Sequence, residues 1–210
     1  MPDTAPVAHG PVAVTAPVIA HGWEVSGRRS SASLRLADHT PLAKVAVRAA
    51  PDGALAARLG VPFGCAARNG DGVLVVGSGP GEWLLLGAPG TARHTAERIC
   101  PGEEFATVLD LTHGRALLRL TGHAGDRLLA KVCAINFSDR ATPDGTAFRS
   151  AVARLVTDVV RDDYEGTRSY LLHCERSSGQ YLFDAMLDAG RELGIEADGF
   201  DAWCPGGRGR

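Results

Sequence analysis

The stretch WLLLGAPGTARHTAERI, residues 83–99, contains the pattern that decides the fold. An apolar run led by an aromatic residue is followed by a small polar turn and an amphipathic segment, which is the order of a strand, a turn and a helix. The stretch YLLHCERSSGQYLFDAML, residues 170–187, repeats that order. Two copies of one hairpin-plus-helix unit are therefore predicted, and the fold class is α+β.

The segments around the first copy complete a βαββαβ order. Strands are predicted at residues 42–48, 72–77, 83–86 and 105–111, with helices at 52–59 and 92–99. The glycine-rich turn at 77–81 predicts a hairpin and not a phosphate loop, because the chain continues into a strand rather than a helix. Residues 34–112 are thus predicted to form a first ferredoxin-like module.

The second copy belongs to a similar series. Strands are predicted at residues 116–121, 151–161 and 169–174, and helices at 124–132 and 178–193. Residues 113–198 therefore form the second predicted α+β module, and the fold prediction is two ferredoxin-like βαββαβ-type modules.

Both ends of the chain are predicted to be flexible. Four prolines interrupt the Pro/Ala-rich arm at residues 1–33: Pro2, Pro6, Pro11 and Pro17. No helix or inner strand can run through that spacing, although the valines of the arm and Trp23 could instead dock on a partner. The tail at 199–210 has four glycines and a proline, with Phe200 and Trp203 as candidate anchors.

Composition excludes several classes of protein. The 210 residues are 45% hydrophobic and 22% charged, a globular balance, and a net charge of −2 gives no basic surface for nucleic acid. No secretory signal and no apolar run long enough for a membrane helix is present. Five cysteines without a CxxC pair suit a reducing compartment and predict no metal site. We therefore predict a soluble cytoplasmic protein.

The densest polar constellation lies in DLTHGRALLRLTG, residues 110–122, where Asp110, Thr112, His113 and Arg115 interrupt two apolar runs. His113 could act as a general base and Arg115 could bind a carboxylate. A polar contact with another subunit or module would use the same residues, and so would a tight structural turn. The sequence leaves these three interpretations open, and it supports no catalytic or cofactor motif elsewhere.

Five further segments, taken in order, resemble one known family. They are LADHTPLAKV (36–45), GPGEWLLLG (79–87), VLDLTHGRALLRLTGHAGDRLLAKVCAINF (108–137), FRSAVARLV (148–156) and YLLHCERSSGQYLFDAMLDAGRELG (170–194). Together with LGVPFG (59–64) they are similar to the gamma subunits of heterotetrameric sarcosine oxidases. Residues 117–136 also resemble the opening of the folate-binding fold of aminomethyltransferases such as the glycine-cleavage T-protein. The resemblance covers about three quarters of the chain.

The resemblance implies a function for the assembly more than for this chain. Such complexes oxidise the N-methyl group of sarcosine and pass the one-carbon unit to tetrahydrofolate. The alpha, beta and delta subunits are then the expected partners, with flavin, NAD and tetrahydrofolate mainly on alpha and beta, and no cofactor is expected on the gamma chain. A noncatalytic gamma subunit is the function so implied. The alternative is a free-standing enzyme or folate-binding protein that reuses the fold for one-carbon or other small-molecule chemistry.

Overall fold

A computed structural model describes residues 6–99, 105–164 and 166–201. The strands are β1 (Ala8–His9), β2 (Pro17–Ala20), β3 (Trp23–Ser26), β4 (Leu34–Asp38), β5 (Ala43–Arg48), β6 (Ala66–Arg68), β7 (Leu74–Gly79), β8 (Glu82–Gly87), β9 (Thr107–Asp110), β10 (Arg115–Thr121), β11 (Ala147–Val152), β12 (Leu155–Arg161), β13 (Ser169–Glu175) and β14 (Ile195–Asp198). The α-helices are α1 (Ala54–Leu59), α2 (Ala92–Ile99), α3 (Gly125–Val132) and α4 (Gly179–Gly190). Single 3-10 turns, Arg176–Ser178 and Arg191–Leu193, flank α4.

A five-stranded antiparallel sheet has the order β6-β7-β8-β5-β9. Along the chain β5, α1, β7, β8, α2 and β9 follow one another, so this is a ferredoxin-like module with β6 added at one edge. The two helices cover one face, where Leu55 and Ile99 pack with Val45 and Val47. The predicted βαββαβ order is confirmed here, and α2 has the predicted bounds.

The hairpin between β7 and β8 explains the glycine-rich turn. Gly81 has a φ of 70°, a left-handed conformation that glycine adopts without steric cost. A side chain at Gly77 would place its Cβ 2.1 Å from the carbonyl oxygen of Pro62, so only glycine fits at this close approach. The glycines of this turn therefore allow the hairpin to form, as predicted.

A six-stranded sheet has the order β11-β12-β13-β10-β4-β14. The succession β10, α3, β12, β13, α4, β14 repeats the ferredoxin-like plan, with β4 inserted between β10 and β14. β4 therefore pairs within the second sheet, although the division at residue 112 assigns it to the first module. The physical reason is its inward side chains, because Leu34 and Leu36 are fully buried in the core beneath α3 and α4.

The second sheet contains a hairpin where the sequence predicts one strand at 151–161. The chain reverses at Ala153 and Arg154, which have φ values of 47° and 69°. Two consecutive left-handed residues form the turn type that Asn-Gly usually marks, and neither residue is present here. The turn therefore had no compositional signal.

The two sheets face each other across a shared apolar layer. Leu84 from β8, Leu117 from β10 and Leu171 from β13 are members of one buried cluster. Because the helices cover the outer faces, polar side chains on the inner faces are also removed from water. No helix among residues 6–99, 105–164 and 166–201 is long and apolar enough to cross a membrane.

The N-terminal segment differs from the predicted flexible arm. β1 pairs parallel to β3 and β2 pairs antiparallel to it, so residues 8–26 form a three-stranded sheet. Trp23 and Val25 are buried in the layer between the larger sheets, and this apolar burial stabilises a segment rich in proline. The start of the tail is also anchored, since the Phe200 N–H donates to the Ser26 carbonyl at 3.0 Å. Pro2 and Trp203 lie outside the described residues.

Candidate functional site

The polar turn at residues 110–115 joins β9 to β10. The Asp110 carboxylate accepts a hydrogen bond from the Thr112 N–H at 2.8 Å, and the Thr112 hydroxyl oxygen accepts one from the Lys44 N–H at 3.1 Å. Thr112 is buried, whereas Asp110 and His113 are exposed. The first two predicted site residues therefore fix the backbone where the first sheet ends and the second begins.

His113 contacts the N-terminal sheet. Its ring stacks on the indole of Trp23 with centroids 4.7 Å apart and an angle of 9° between the planes. Because Trp23 also lies in the apolar layer, this stack ties residues 8–26 to the turn. Within the described part of the chain no hydrogen bond or ion pair joins His113 to Arg115, so these two predicted residues do not form one constellation.

Arg115 starts β10 and joins a polar cluster on the inner face of the second sheet. Its guanidinium pairs with Glu175 and lies 3.6 Å from a carboxylate oxygen of Asp158. Asp158 also accepts a hydrogen bond from Arg149 Nε at 2.6 Å and contacts His173 Nδ1 at 3.1 Å. We call Arg115, Arg149, Asp158 and His173 the inner polar cluster.

The sequence prediction missed three of these four residues. Arg149, Asp158 and His173 stand on three different strands that pair across the sheet, with Asp158 directly opposite both Arg149 and His173. The available signal was polar residues inside apolar runs, Asp158 in LVTDVVR and His173 in YLLHCE. Without strand register that signal could not show that they meet.

The inner polar cluster has shifted ionisation. Burial opposes the charge of Asp158, but hydrogen bonds from His173 and Arg149 outweigh it and lower the pKa of the carboxyl to about 2. Burial lowers the pKa of His173, against the opposing hydrogen bond from Asp158. At neutral pH the carboxylate is therefore charged and the imidazole neutral, so His173 Nδ1–H donates to Asp158.

Lys44 is a second buried charge that the sequence did not single out. Its side chain is fully buried, and Nζ donates to the Thr40 and Leu42 carbonyls at 2.6 and 2.8 Å. Burial lowers the pKa of the ammonium to about 7, although nearby Asp38 and Asp110 oppose the shift. The Lys44 carbonyl also accepts from the Leu111 N–H at 2.8 Å, so this lysine adjoins the turn that begins at Asp110.

Arg119 lies four residues after Arg115 on the same face of β10. It donates to the Asp162 carboxylate at 2.6 Å and to the Ser169 hydroxyl at 2.8 Å, and its guanidinium lies 5.7 Å from the Tyr164 ring centroid. A cavity of about 190 Å³ adjoins this group. Buried His39 also lines the cavity, and its Nδ1 has no hydrogen-bond partner within the described structure.

Neither the inner polar cluster nor the group around Arg119 has the side chains of a metal site or an activated nucleophile. Among the described ranges, no three His, Cys, Asp or Glu side chains are placed to hold a metal ion. Burial raises the pKa of the Cys174 thiol to about 11, which makes it a poor nucleophile. Cys65 is exposed and Cys133 is buried, and both are free thiols. The arrangement is suited to hydrogen bonding and charge pairing.

Known proteins share this fold and sequence. Residues 71–204 match the GCVT N-terminal domain family. The sarcosine oxidase subunit gamma of Corynebacterium sp. (strain P-1) is 30% identical over 162 residues, which cover 73% of this chain and 78% of that subunit. The chain belongs to the sarcosine oxidase gamma subunit family. Both sequence resemblances are thereby confirmed.

Solved structures agree with membership of the gamma family. A chain of the heterotetrameric sarcosine oxidase from Corynebacterium sp. U-96, in complex with pyrrole 2-carboxylate, has a TM-score of 0.67 and 25% identity, covering 79% of this chain and 88% of that one. Aminomethyltransferase T of the Bartonella henselae glycine cleavage system also has a TM-score of 0.67, at 16% identity, over 87% of this chain and 55% of that one. The latter likeness shows the fold alone.

One curated relative is much longer than this gamma-family chain. Human mitochondrial dimethylglycine dehydrogenase is 25% identical over 121 residues, 56% of this chain but only 14% of the human protein. The shared region is thus a small part of the human protein, whereas it makes up most of the Corynebacterium gamma subunit.

Proposed function

We propose that this chain is a noncatalytic gamma subunit of a heterotetrameric sarcosine oxidase-like complex. The complex would oxidatively demethylate sarcosine or a similar N-methyl amine, with the one-carbon unit passed to tetrahydrofolate. The observation that carries the proposal is the 30% identity with a gamma subunit over most of both chains. In this proposal the alpha, beta and delta subunits are the partners, and the flavin, NAD and tetrahydrofolate are carried mainly by alpha and beta.

The contacts of the predicted polar turn support a structural role. Asp110 and Thr112 hold the backbone between the sheets, and His113 packs on Trp23. Arg115 is engaged by Glu175 and Asp158 of its own chain. Each of these four residues therefore makes a contact that stabilises the subunit's own structure.

The same turn leads to a surface suited to a partner. β9 pairs with β5 on one side, and its other edge has no strand beside it among the described residues. Phe105 is 90% exposed and Leu109 54% exposed along this edge, followed by exposed Asp110 and His113. A free strand edge with large apolar side chains favours association, so we place the contact with another subunit at the β9 edge, defined by these four residues.

Co-expression with the alpha, beta and delta subunits tests the subunit role. A stable complex containing all four chains is the expected result. If none of the three chains co-purifies with the gamma chain, the proposal of a subunit role is wrong.

A matched pair of variants tests the β9 edge. Leu109→Asp should weaken assembly by about tenfold or more, because a carboxylate cannot be buried unpaired in an apolar contact. Val156→Asp places the same charge at a 71% exposed valine on β12 and should leave assembly unchanged. Equal assembly by both variants would retain the subunit proposal and remove this edge from it.

Small-molecule binding is the second candidate function, favoured by the cavity beside His39. At about 190 Å³ it is smaller than the roughly 300–1,000 Å³ of pockets for drug-sized ligands, so only part of a folate could enter. Calorimetry with tetrahydrofolate tests this candidate, with His113→Ala as a variant outside the cavity. Absence of binding heat would eliminate tetrahydrofolate as a ligand of this chain.

A further inference from the structure

The N-terminal sheet is anchored through β3 and β1 and is open at β2. Its central strand β3 buries Trp23 and Val25 in the layer between the larger sheets. On the β1 side, the His9 carbonyl accepts a hydrogen bond from the Arg176 guanidinium. β2 pairs only with β3, and no other strand lies along its outer edge among the described residues. β2 is therefore the free edge of this sheet.

The side chains of β2 are apolar and uncharged. All four residues, Pro17–Ala20, are apolar, and Val18 and Ile19 are 47% and 61% exposed. Residues 6–20 contain no Asp, Glu, Lys or Arg. Soluble proteins usually protect an edge strand with charged side chains, proline or a covering segment, because an unprotected edge pairs with another chain. Pro17 stands at the first position of β2, so it leaves the rest of the strand able to pair.

The backbone of Ile19 faces the open edge. In an antiparallel pair, alternate residues direct both their N–H and C=O groups toward the neighbouring strand. The Gly27 N–H donates to the Ala16 carbonyl at 2.9 Å. Val18 and Ala20 therefore also face β3, and Ile19 directs its N–H and carbonyl away from it. Neither group of Ile19 has a hydrogen bond outside the pair of β2 and β3 within the described part of the chain.

The open edge of β2 adjoins the β9 edge. Ala20 pairs directly opposite Trp23, and the Trp23 indole stacks on the ring of His113. His113 is one of the four residues that define the β9 edge. Trp23 thus connects the end of β2 to that edge, and a chain bound at the β9 edge lies within reach of β2.

The length of β2 decides between a second copy of this chain and another subunit. Four residues span only about 13 Å, at roughly 3.3 Å per residue. A stable protein interface buries at least about 1,000 Å² in total, which so short a strand cannot supply alone. β2 can instead extend a contact that β9 already makes, so its occupant belongs to the subunit bound there.

We propose that β2 accepts an extended, uncharged apolar segment of the partner subunit bound at the β9 edge, which pairs with Ile19 as an added strand. This contact rests on the proposed subunit role and is a second contact within it. The backbone of the segment bonds to the N–H and carbonyl of Ile19, and its side chains pack on Val18 and Ile19. A charged segment is disfavoured because β2 offers it no charged partner, and Glu24 beside Ile19 contacts His9 at 3.7 Å.

Hydrogen exchange of the Ile19 amide tests the pairing, first in the isolated chain and then in the complex with the alpha, beta and delta subunits. The Ile19 N–H should exchange rapidly in the isolated chain and at least about tenfold more slowly in the complex. The Val18 amide is the internal control. Because its N–H already faces β3, it should exchange more slowly than that of Ile19 in the isolated chain.

A matched pair of variants tests the same hydrogen bond. Ile19→Pro removes the outward N–H but keeps an apolar side chain and the outward carbonyl. Proline is tolerated on an edge strand whose N–H faces solvent, so the isolated variant should fold, with circular dichroism as the check. Its affinity for the other three subunits should fall about fivefold, the usual effect of losing one hydrogen bond. Ile19→Val keeps the N–H and should assemble as the original chain does. If Ile19→Pro fails to fold, the exchange of the Ile19 amide in the original chain still decides the question.

Three results would overturn the proposal, and they differ from one another. If no subunit co-purifies, the subunit role is wrong and this contact falls with it. If the complex forms but Ile19 exchanges as fast as before and Ile19→Pro assembles normally, the subunit role stands and β2 is not a contact. If the Ile19 amide is already protected in the isolated chain, another occupant holds the edge: a second copy where protection rises with concentration, and the chain's own residues where it does not.

Discussion

Arg115 and Arg119 occupy the same face of one strand, yet their surroundings differ. Arg119 and Asp162 each have side chains that are 8% exposed and are joined at 2.6 Å. Arg115 pairs with Glu175, whose side chain is 68% exposed, and its Nε has no partner in the described structure. Arg119 thus belongs to an enclosed ion pair, whereas Arg115, four residues earlier, belongs to a partly exposed one.

The two arginines should differ in how much they contribute to the stability of this layer. A buried ion pair matters to stability mainly because removal of one partner leaves the other charge buried and unpaired, which is costly. A partly exposed charge can exchange its protein partner for water, so its removal costs less. We therefore expect substitutions around Arg119 to lower the free energy of unfolding more than substitutions around Arg115.

Asp162→Ala should have the largest effect on stability. It deprives Arg119 and Arg68 of a carboxylate that each contacts at 2.6 Å, and breaking a buried pair costs about 3–5 kcal/mol. Urea unfolding measures the change, and Asp162→Asn, which keeps one of the two acceptor oxygens, should lose less. A loss near zero for Asp162→Ala would erase the contrast between the two arginines.

Asp158 should make stability depend on pH in the acid range. Its folded-state pKa of about 2 lies below the ordinary value of 3.8, so its contribution is present above pH 3.8 and is lost as the pH falls toward 2. The loss should be about 2 kcal/mol, from 1.4 kcal/mol per pKa unit. Urea unfolding of the original chain and Asp158→Asn across pH 2–5 measures it. Parallel pH profiles for the two proteins would contradict the assignment.

Arg115→Ala should lower the free energy of unfolding by about 1 kcal/mol, because Asp158 keeps Arg149 and His173 as partners. For a chain of this size that corresponds to a fall in melting temperature of about 2–4 °C. Calorimetric melting gives the value. A loss as large as that of Asp162→Ala would show that Arg115 is as enclosed as Arg119.

Arg93→Ala should have the smallest effect. Arg93 and Glu97 form an i,i+4 pair on α2 at 2.9 Å, with side chains 91% and 60% exposed. Such pairs contribute about 0.5 kcal/mol or less and weaken with salt. Urea unfolding in low and high salt checks this. A loss above about 1 kcal/mol would show that side-chain exposure does not determine how much each ion pair of this chain contributes to the free energy of unfolding.

Local patterns predicted the elements best where the periodicity was complete. The apolar runs before and after the turn at Gly81 specified a hairpin, and the segment from Ala92 to Ile99 specified a helix with the observed bounds. The Ala153–Arg154 turn escaped prediction because its left-handed residues are ones that rarely adopt that conformation.

The candidate site was less predictable than the elements. Asp110, Thr112, His113 and Arg115 were found because they are adjacent in sequence, but the cluster around Arg115 depends on the pairing of β11, β12 and β13. Strand register is set by long-range packing, so Asp158 and His173 carried no local signal of their meeting. Burial of Trp23 likewise depends on residues far away in sequence.

The place of β4 between β10 and β14 has a consequence for synthesis of the chain on the ribosome. β4 is made early, but both of its neighbours in the sheet follow the entire five-stranded module. Leu34 and Leu36 therefore stay unpaired until β10 and, last of all, β14 emerge, while β5 to β9 can already assemble from nearby segments. A nascent chain halted before β10 should consequently expose β4 to chaperones even when its five-stranded sheet is complete.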